Sequence, residues 1–389
     1  SILTGADIAD GSISTAKIAD TAISTAKIAD DAVTNAKTAF NDIPFRNIII
    51  NGDMSIAQRG TSATGLTGSG YHTIDRYRTN FSGTLGTWTQ SQDTDVPSGQ
   101  GFGKSMKMDC TTADASPSAG DRLHIRQNFE GQMLQHLKKG TSSAESVTLS
   151  FWVKSNKTGT YITHLVDQDN TRSISKSYTI NSASTWEKKT ITFEGDTTGT
   201  LDNDNGQSLY IDWYLGAGTN FTSGTLGTSW SSTTNANIAV GQVNLADNTA
   251  NEWYITGVQL EVGTSASDFE FLPFDVNLQR CQRYYYAHED NVARVGRQLS
   301  NTECGYDLPF PNIMRTTPTV TYNSPSNDLV QVNGNNQSPT GYDSARSSFG
   351  TKSAFLALDY SSNSGGNNVS CKVILSHSAT SKKEFDAEL

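Results

Sequence analysis

"QSLYIDWYLG" (Gln207–Gly216) alternates apolar and polar or aromatic residues. Leu209, Ile211, Trp213 and Leu215 fall on one face, and Tyr210, Asp212 and Tyr214 on the other. A two-residue period is that of a β-strand with one face buried. The same pattern recurs in "VTLSFWVKS" (Val147–Ser155), "WEKKTITFEG" (Trp186–Gly195) and "EWYITGVQLEVG" (Glu252–Gly263). Clusters of Gly, Ser, Thr and Asn separate these runs, Pro is scarce, and long helical periodicities are almost absent. Many short strands divided by turn residues predict a β-sandwich or jelly roll. Further along, "TPTVTYN", "SAFLALDY" and "VSCKVILSHS" alternate again, and "KKEFDAEL" reads as a last strand. They predict a second, smaller β-sandwich. Between the two, "DVNLQRCQRYYYAHED" from Asp275 reads as a short helix passing into a strand.

The first 42 residues follow another rule. "IADGSISTAK", "IADTAISTAK" and "IADDAVTNAK" are three versions of one decapeptide between Ile8 and Lys37. Their large apolar residues, Ile8, Ile13, Ile18, Ile23, Ile28 and Val33, recur every five positions. A helix stripe needs spacings of three and four and a strand face needs two, so a step of five fits neither. One such chain has nothing to bury its isoleucines against, and ordering costs roughly 1–2 kcal/mol per residue. Several copies wrapped together would pool these side chains on a shared axis. The expected organisation is mainly β, in four parts. They are a trimeric repeat stalk over 1–42, a jelly-roll β-sandwich over 45–274, a crossover over 275–290 and a C-terminal β-sandwich over 291–389.

A net charge of −10 over 389 residues argues against nucleic acid, whose phosphates need a basic face. No apolar run approaches the ~20 residues that span a bilayer, so no membrane insertion is expected. The chain opens with Ser, as a fragment or a processed product would, and carries no secretory pattern. Cys110, Cys281, Cys304 and Cys371 form no C-x-x-C. They read as four reduced thiols of a protein made in a cytosol.

"NIIINGDMSIAQRG" (Asn47–Gly60), then "IDRYR", "LSFWVKS" and "ITGVQLEVG", in that order, resemble the sandwich domain of bacteriophage tail fibres. That domain is in turn similar to jelly-roll carbohydrate-binding modules. The "AKIAD" decapeptides resemble fibre-shaft repeats, and "LQRCQRYYY" with "LPFPNIMRTTPTVT" extends the likeness over nearly the whole chain. The resemblance implies a homotrimeric virion appendage made in the bacterial host cytoplasm. Its N-terminal end would be held by other virion tail proteins, and it would attach noncovalently to a bacterial surface glycan. The C-terminal sandwich, with "SPSND" and "SSNSGGNN", is then the expected distal tip. Such jelly rolls often hold a structural calcium near the "NGD" start, for which Asp53 and Glu261 are the ligands implied; no other cofactor is expected. Thr256 and Gly257 stand where the family has an acidic pair.

Catalytic motifs are missing. No G-x-S-x-G, H-E-x-x-H or P-loop occurs, and the six histidines never pair at ligand spacing. "LDNDNGQS" (Leu201–Ser208) has Trp213 where a calcium loop needs a bidentate Glu, and reads as a turn. A glycoside hydrolase needs two facing carboxylates, which sequence cannot assemble. The chain is therefore read as a binder rather than an enzyme; the alternatives are a structural virion appendage, such as a collar or head fibre without a receptor, and a glycan-depolymerising enzyme. Sugar rings need aromatic walls with a few placed polar groups. Tyr71, Trp88 and Trp230 read as loop-borne aromatics, Trp230 within a Gly/Ser/Thr/Asn-rich stretch over 216–236. Trp152, Trp213 and Trp253 read as packing residues.

Overall fold

The computed structural model describes residues 45–288, 293–322, 329–332, 335–360, 370–374 and 382–389. The decapeptide repeat, with Ile8 through Val33, lies outside the described residues, as do the "SPSND" and "SSNSGGNN" loops. Residues Arg46–Leu389 form one compact unit.

Two antiparallel sheets make the sandwich. In the first, strands run in the order Ser62–Leu66, Thr87–Asp93, Ser105–Thr112, Glu252–Val262, Val147–Ser155 and Glu187–Phe193. In the second the order is Ser231–Ser232, Arg172–Ile180, Gly159–Asp167, Gln207–Ala217, Arg122–Glu130, Arg78–Ser82 and Gly70–Tyr71. Neighbours in each sheet are mostly distant in sequence, as sandwich topologies with crossing connections require. Leu209, Ile211, Trp213 and Leu215 all enter the core, as their alternation predicts. The Trp213 ring meets Phe151 of the first sheet edge-on at 6.3 Å, and Phe151 meets Tyr178 at 5.1 Å. Each such ring contributes roughly 1.5–3 kcal/mol by leaving water.

Two local readings need correction. The run Ile48–Ile50 is buried but forms no regular strand. It joins the first sheet through Ile48 N–H to the Leu260 carbonyl at 2.9 Å. The Asn47 Oδ1, accepting from the amides of Ile49 and Leu260, stands in for the rest of the ladder. The strand Glu252–Val262 is also not one continuous alternation. Its register shifts between Thr256 and Gln259, with Gly257 at φ +62°. This β-bulge flips the facing, so Trp253 and Ile255 before it and Val258 and Leu260 after it all point inward.

A helix, Phe274–Gln282, leads into strand Tyr285–His288. That strand, Lys383–Asp386 and Thr319–Tyr322 form a three-stranded sheet with the terminal strand in the middle. An eight-stranded sheet completes the C-terminal region around Cys304, Tyr306, Leu356 and Leu358. Cys110 and Cys281 are buried and free, but Cys304 is disulfide-bonded, which corrects the reading of four thiols. Strand pairing unites positions far apart in sequence, so spacing along the chain was no guide. No helix among the described residues is long and apolar enough to cross a membrane.

Candidate functional site

The structure separates the three aromatics singled out from sequence. Trp88 lies on strand Thr87–Asp93, not on a loop, and is fully buried, with its Nε1 donating to the Leu85 carbonyl at 2.7 Å. A ring with no exposed face offers nothing to a sugar, so Trp88 is a core residue. Tyr71 is half-buried. Its hydroxyl donates to the Leu389 carbonyl and accepts from Asn128, both at 3.1 Å, which ties the chain's last residues to the sandwich.

Trp230 alone of the three borders an open recess. After strand Gln207–Ala217 the chain folds back over the second sheet and returns along its edge, where Ser231–Ser232 pairs with Arg172–Ile180. Trp230, just before that pairing, anchors its Nε1 on the Glu194 carbonyl at 2.7 Å and leaves its ring half-buried. It walls a small recess also lined by Val147, Leu165, Leu209 and Leu260, all of them buried. The rim is polar. Lys139 lies 5.2 Å from the Trp230 ring centre. Its ammonium pairs with Asp167 and, at 3.0 Å, with Asp196, and donates to the Thr198 and Gly199 carbonyls. Arg172 grips Asp196 through a two-pronged contact at 2.7 and 3.0 Å. Burial opposes ionisation of Asp196, but the hydrogen bonds from Arg172 and Lys139 outweigh it and hold its pKa below the ordinary value. The recess thus combines an aromatic wall, an aliphatic floor and fixed charges. The general pattern of a small-ligand site is the same. The sequence pointed to Trp230 but not to Lys139, Asp196 or Arg172, because their meeting depends on which loops converge.

A second polar group sits on the outer face of the second sheet. There Asp212, Tyr210 and Tyr214 share a face, as their alternation predicts. Arg126 forks onto Asp212 at 2.7 and 2.9 Å and lies 3.5 Å from the Tyr210 ring centre. His124 stacks on Tyr214 with ring centres 4.8 Å apart. His124 and His164, both almost fully buried, approach Asp212 to 3.6 and 3.8 Å. Burial lowers the His124 pKa to about 3 against the pull of Asp212, and lowers that of His164. Two histidines that do not pair at ligand spacing in the sequence thus meet at one carboxylate in the fold. The alternation in "RLHIRQNFE" (Arg122–Glu130) carried the signal, because it places Arg122, His124, Arg126 and Asn128 on the Asp212 side. Phe221, Ile238 and Ala239 from the return segment roof part of this face against Ile162 and Tyr214.

Asp53 and Glu261 are each held by their own hydrogen-bond partners. Asp53 Oδ1 accepts from Ser55 Oγ and from Asn277 Nδ2, each at 3.0 Å. The recess beside it is also lined by Arg280. Glu261, buried, accepts from the Ser267 amide and hydroxyl and lies 3.6 Å from Arg46. "LDNDNGQS" is a turn, with the Gly206 amide donating to Asp204 Oδ1 at 2.8 Å. Among the described residues one acidic trio converges. Oxygens of Glu303, Asp343 and Asp359 lie within 4.8 Å of one another. Arg346 pairs with Glu303 at 2.5 Å and lies 3.8 Å from Asp343.

No family model and no curated protein matches the chain. Solved structures with similar sandwiches include the enzymatically active domain of tailspike protein 4 of bacteriophage CBA120. That likeness has 16% identity and a TM-score of 0.31, over 57% of this chain and 22% of that one. A sugar-binding protein from Bacteroides thetaiotaomicron is similar at 12% identity and TM-score 0.31, over 56% of this chain and all of that one. The family 11 carbohydrate-binding module of Clostridium thermocellum, solved with a mixed-linked tetrasaccharide, is similar at 12% and 0.26, over 53% and 98%. The likeness is one of sandwich architecture. The chain spans about a fifth of the tailspike domain's length.

Proposed function

We propose that this chain is a glycan-binding attachment protein of the bacteriophage tail-fibre type, and that the Trp230 recess is a glycan site. The observation that carries the site is the meeting of a half-buried indole, aliphatic side chains and a fixed ion-pair cluster in one small recess. A pyranose presents an apolar face and a ring of hydroxyls, and this surface offers a partner to each. The attachment role rests on the order of the fibre-like sequence motifs and on the repeat that precedes the folded body. Binding is noncovalent, and the work of recognition falls to Trp230, Lys139 and Asp196. In this reading the protein belongs to a virion, its repeat faces other tail proteins, and its folded body faces the host surface.

The test is an array of bacterial lipopolysaccharides and capsules probed with the full chain and with Trp230→Ala. Stacking on one ring is worth roughly 0.5–1.5 kcal/mol beyond area. With the lost area, the variant should bind its best glycan about tenfold or more weakly while still melting cooperatively as a folded protein. Equal binding by both proteins would remove Trp230 from the site. The same glycans should release no oligosaccharide on incubation. Release that stops on Asp359→Asn would replace the binding reading with hydrolysis at the Glu303, Asp343 and Asp359 trio, since convergent carboxylates are what glycoside cleavage requires.

A further inference from the structure

The large apolar side chains exposed among the described residues are Phe45, Phe271, Phe274, Val295 and Ile313. Two of them, Phe271 and Phe274, stand three residues apart on the segment that leads into the helix Phe274–Gln282. They are 51% and 64% exposed. Phe271 is not a loose side chain. Its ring packs on Phe269 at 4.8 Å and on Phe102 at 5.1 Å, and Phe102 and Phe269 meet at 5.1 Å. A preformed three-ring cluster with one outward face, beside a second exposed ring, holds apolar area in water. That area costs about 25 cal/mol per Å² until something covers it.

The sequence says what comes near it. Arg46, the first residue of the compact unit, donates to Ser267 Oγ at 2.8 Å and to the Asp268 carbonyl at 2.5 Å. The Asn47 amide donates to Glu270 at 2.9 Å. The preceding residues therefore join the folded body at the segment that carries Phe271 and Phe274. Those residues include the five-residue apolar repeat, which has no use for its isoleucines unless copies of the chain run together. Copies gathered by the repeat must hold their folded bodies together first at the point where the repeat enters them.

We propose that Phe271 and Phe274 form a contact between neighbouring copies of this chain, beside the point where the chain enters the folded body at Arg46. The proposal rests on the fibre reading for its copies, but not on any glycan site. Burying two exposed aromatic rings on each copy adds apolar contact area to whatever the repeat contributes.

Two experiments on the full chain test it. First, Phe274→Cys is treated with a short bis-maleimide, with Val295→Cys, 82% exposed in the parent, as control. Phe274→Cys should give chain-to-chain cross-links and Val295→Cys none. Second, sedimentation across a dilution series compares the parent with the double variant Phe271→Ser, Phe274→Ser. Copies of the variant should part at a concentration at least tenfold higher. Both substitutions are on exposed rings, so the melting of the folded body reports separately that it still folds. No cross-link in a protein that sediments as a multimer would overturn the contact while leaving the repeat's role intact. A parent chain that sediments as a monomer would overturn both. Glycan binding, read on the array, is unaffected by either outcome at the level of a single site.

Discussion

His124 shows how much a single position gains from its surroundings. In sequence it is one of six scattered histidines; in the fold it stacks on Tyr214 beside Asp212 and Arg126, out of reach of water. Burial holds it neutral down to about pH 3, and His164 is displaced in the same direction. The unfolded chain protonates these rings near pH 6.5, so from there toward pH 3 the unfolded state binds more protons than the folded one. Stability should therefore be complete above pH 6.5 and decline as pH falls below it. Each histidine held neutral contributes at most about 1.4 kcal/mol per pH unit. Asp212 acts in a lower window. Burial opposes its ionisation, but Arg126 and His124 more than compensate and depress its pKa, so its contribution is lost only below about pH 4. Urea melts of the parent and of His124→Gln at pH 4.5, 5.5 and 7.5 check this. The variant should lose about one histidine's worth of slope, and an unchanged slope would mean that His124 titrates normally in the fold. The alternation in Arg122–Glu130 places His124 and Arg126 on one face of the strand, a signal that reading the histidines one by one overlooks. Which side of the sheet would be roofed, and so which histidines would be dry, depended on the return segment after Ala217.

At the scale of elements, long strands were legible and short-range exceptions were not. Val147–Ser155 and Gln207–Ala217 declare themselves through alternating residues because one face of each must be apolar. The bulge at Gly257 was invisible because a single inserted residue leaves both halves of the alternation intact. Gly52 was read as a turn residue, but it also has a packing reason. A Cβ there would stand 2.1 Å from the Val258 carbonyl oxygen, on the far side of that same bulge. The C-terminal strand was also recognised, but not where it goes. Residues after Asp386 run back to the sandwich, where Glu388 pairs with Arg76 and with Arg59 and Arg315 donates to the Ala387 and Glu388 carbonyls. Arg76 is fully buried, and its guanidinium lies 3.4 Å from the Tyr284 ring centre while donating to the Asn128 carbonyl. Glu388→Ala would leave that cation buried without its carboxylate. The expected cost is about 3–5 kcal/mol. Glu145→Ala, which breaks the exposed pair with Lys138, should cost no more than about 1 kcal/mol. Thermal melts of the two variants check the contrast, and similar melting temperatures would mean that Glu388 does not hold Arg76 in solution. The same contacts imply that a chain cut before Lys383 loses more than a tip, since it also strips partners from Arg59, Arg76, Tyr71 and Asn128 of the sandwich.

At the scale of the whole molecule, the repeat and the folded body answer different physical needs. The body, Arg46–Leu389, buries its own core and so owes nothing to other copies for its fold. The repeat's sequence sets isoleucines at a fixed period among small polar residues, and in the proposed reading its use lies in the copies it gathers. In the proposed reading the Trp230 recess offers a sugar a single aromatic face, and an isolated site of that kind binds weakly. Several such sites carried on one stalk turn every binding event after the first into an intramolecular one. Avidity can then exceed the single-site affinity by roughly 10²–10⁴ without any new contact. A chain lacking residues 1–44 should accordingly fold and melt like the parent. It should bind a soluble oligosaccharide, identified on the array, with the parent's affinity, because the recess is intact. On glycan-coated beads, where neighbouring sites can engage together, its apparent affinity should fall by about 10²-fold or more. Titration calorimetry with the free oligosaccharide and retention on the beads measure the two quantities independently. Equal bead retention would mean that the repeat gathers no copies at working concentration, and attachment would then rest on one site per molecule. A loss of soluble-sugar binding as well would instead place part of the recognition in the repeat itself, against the Trp230 assignment.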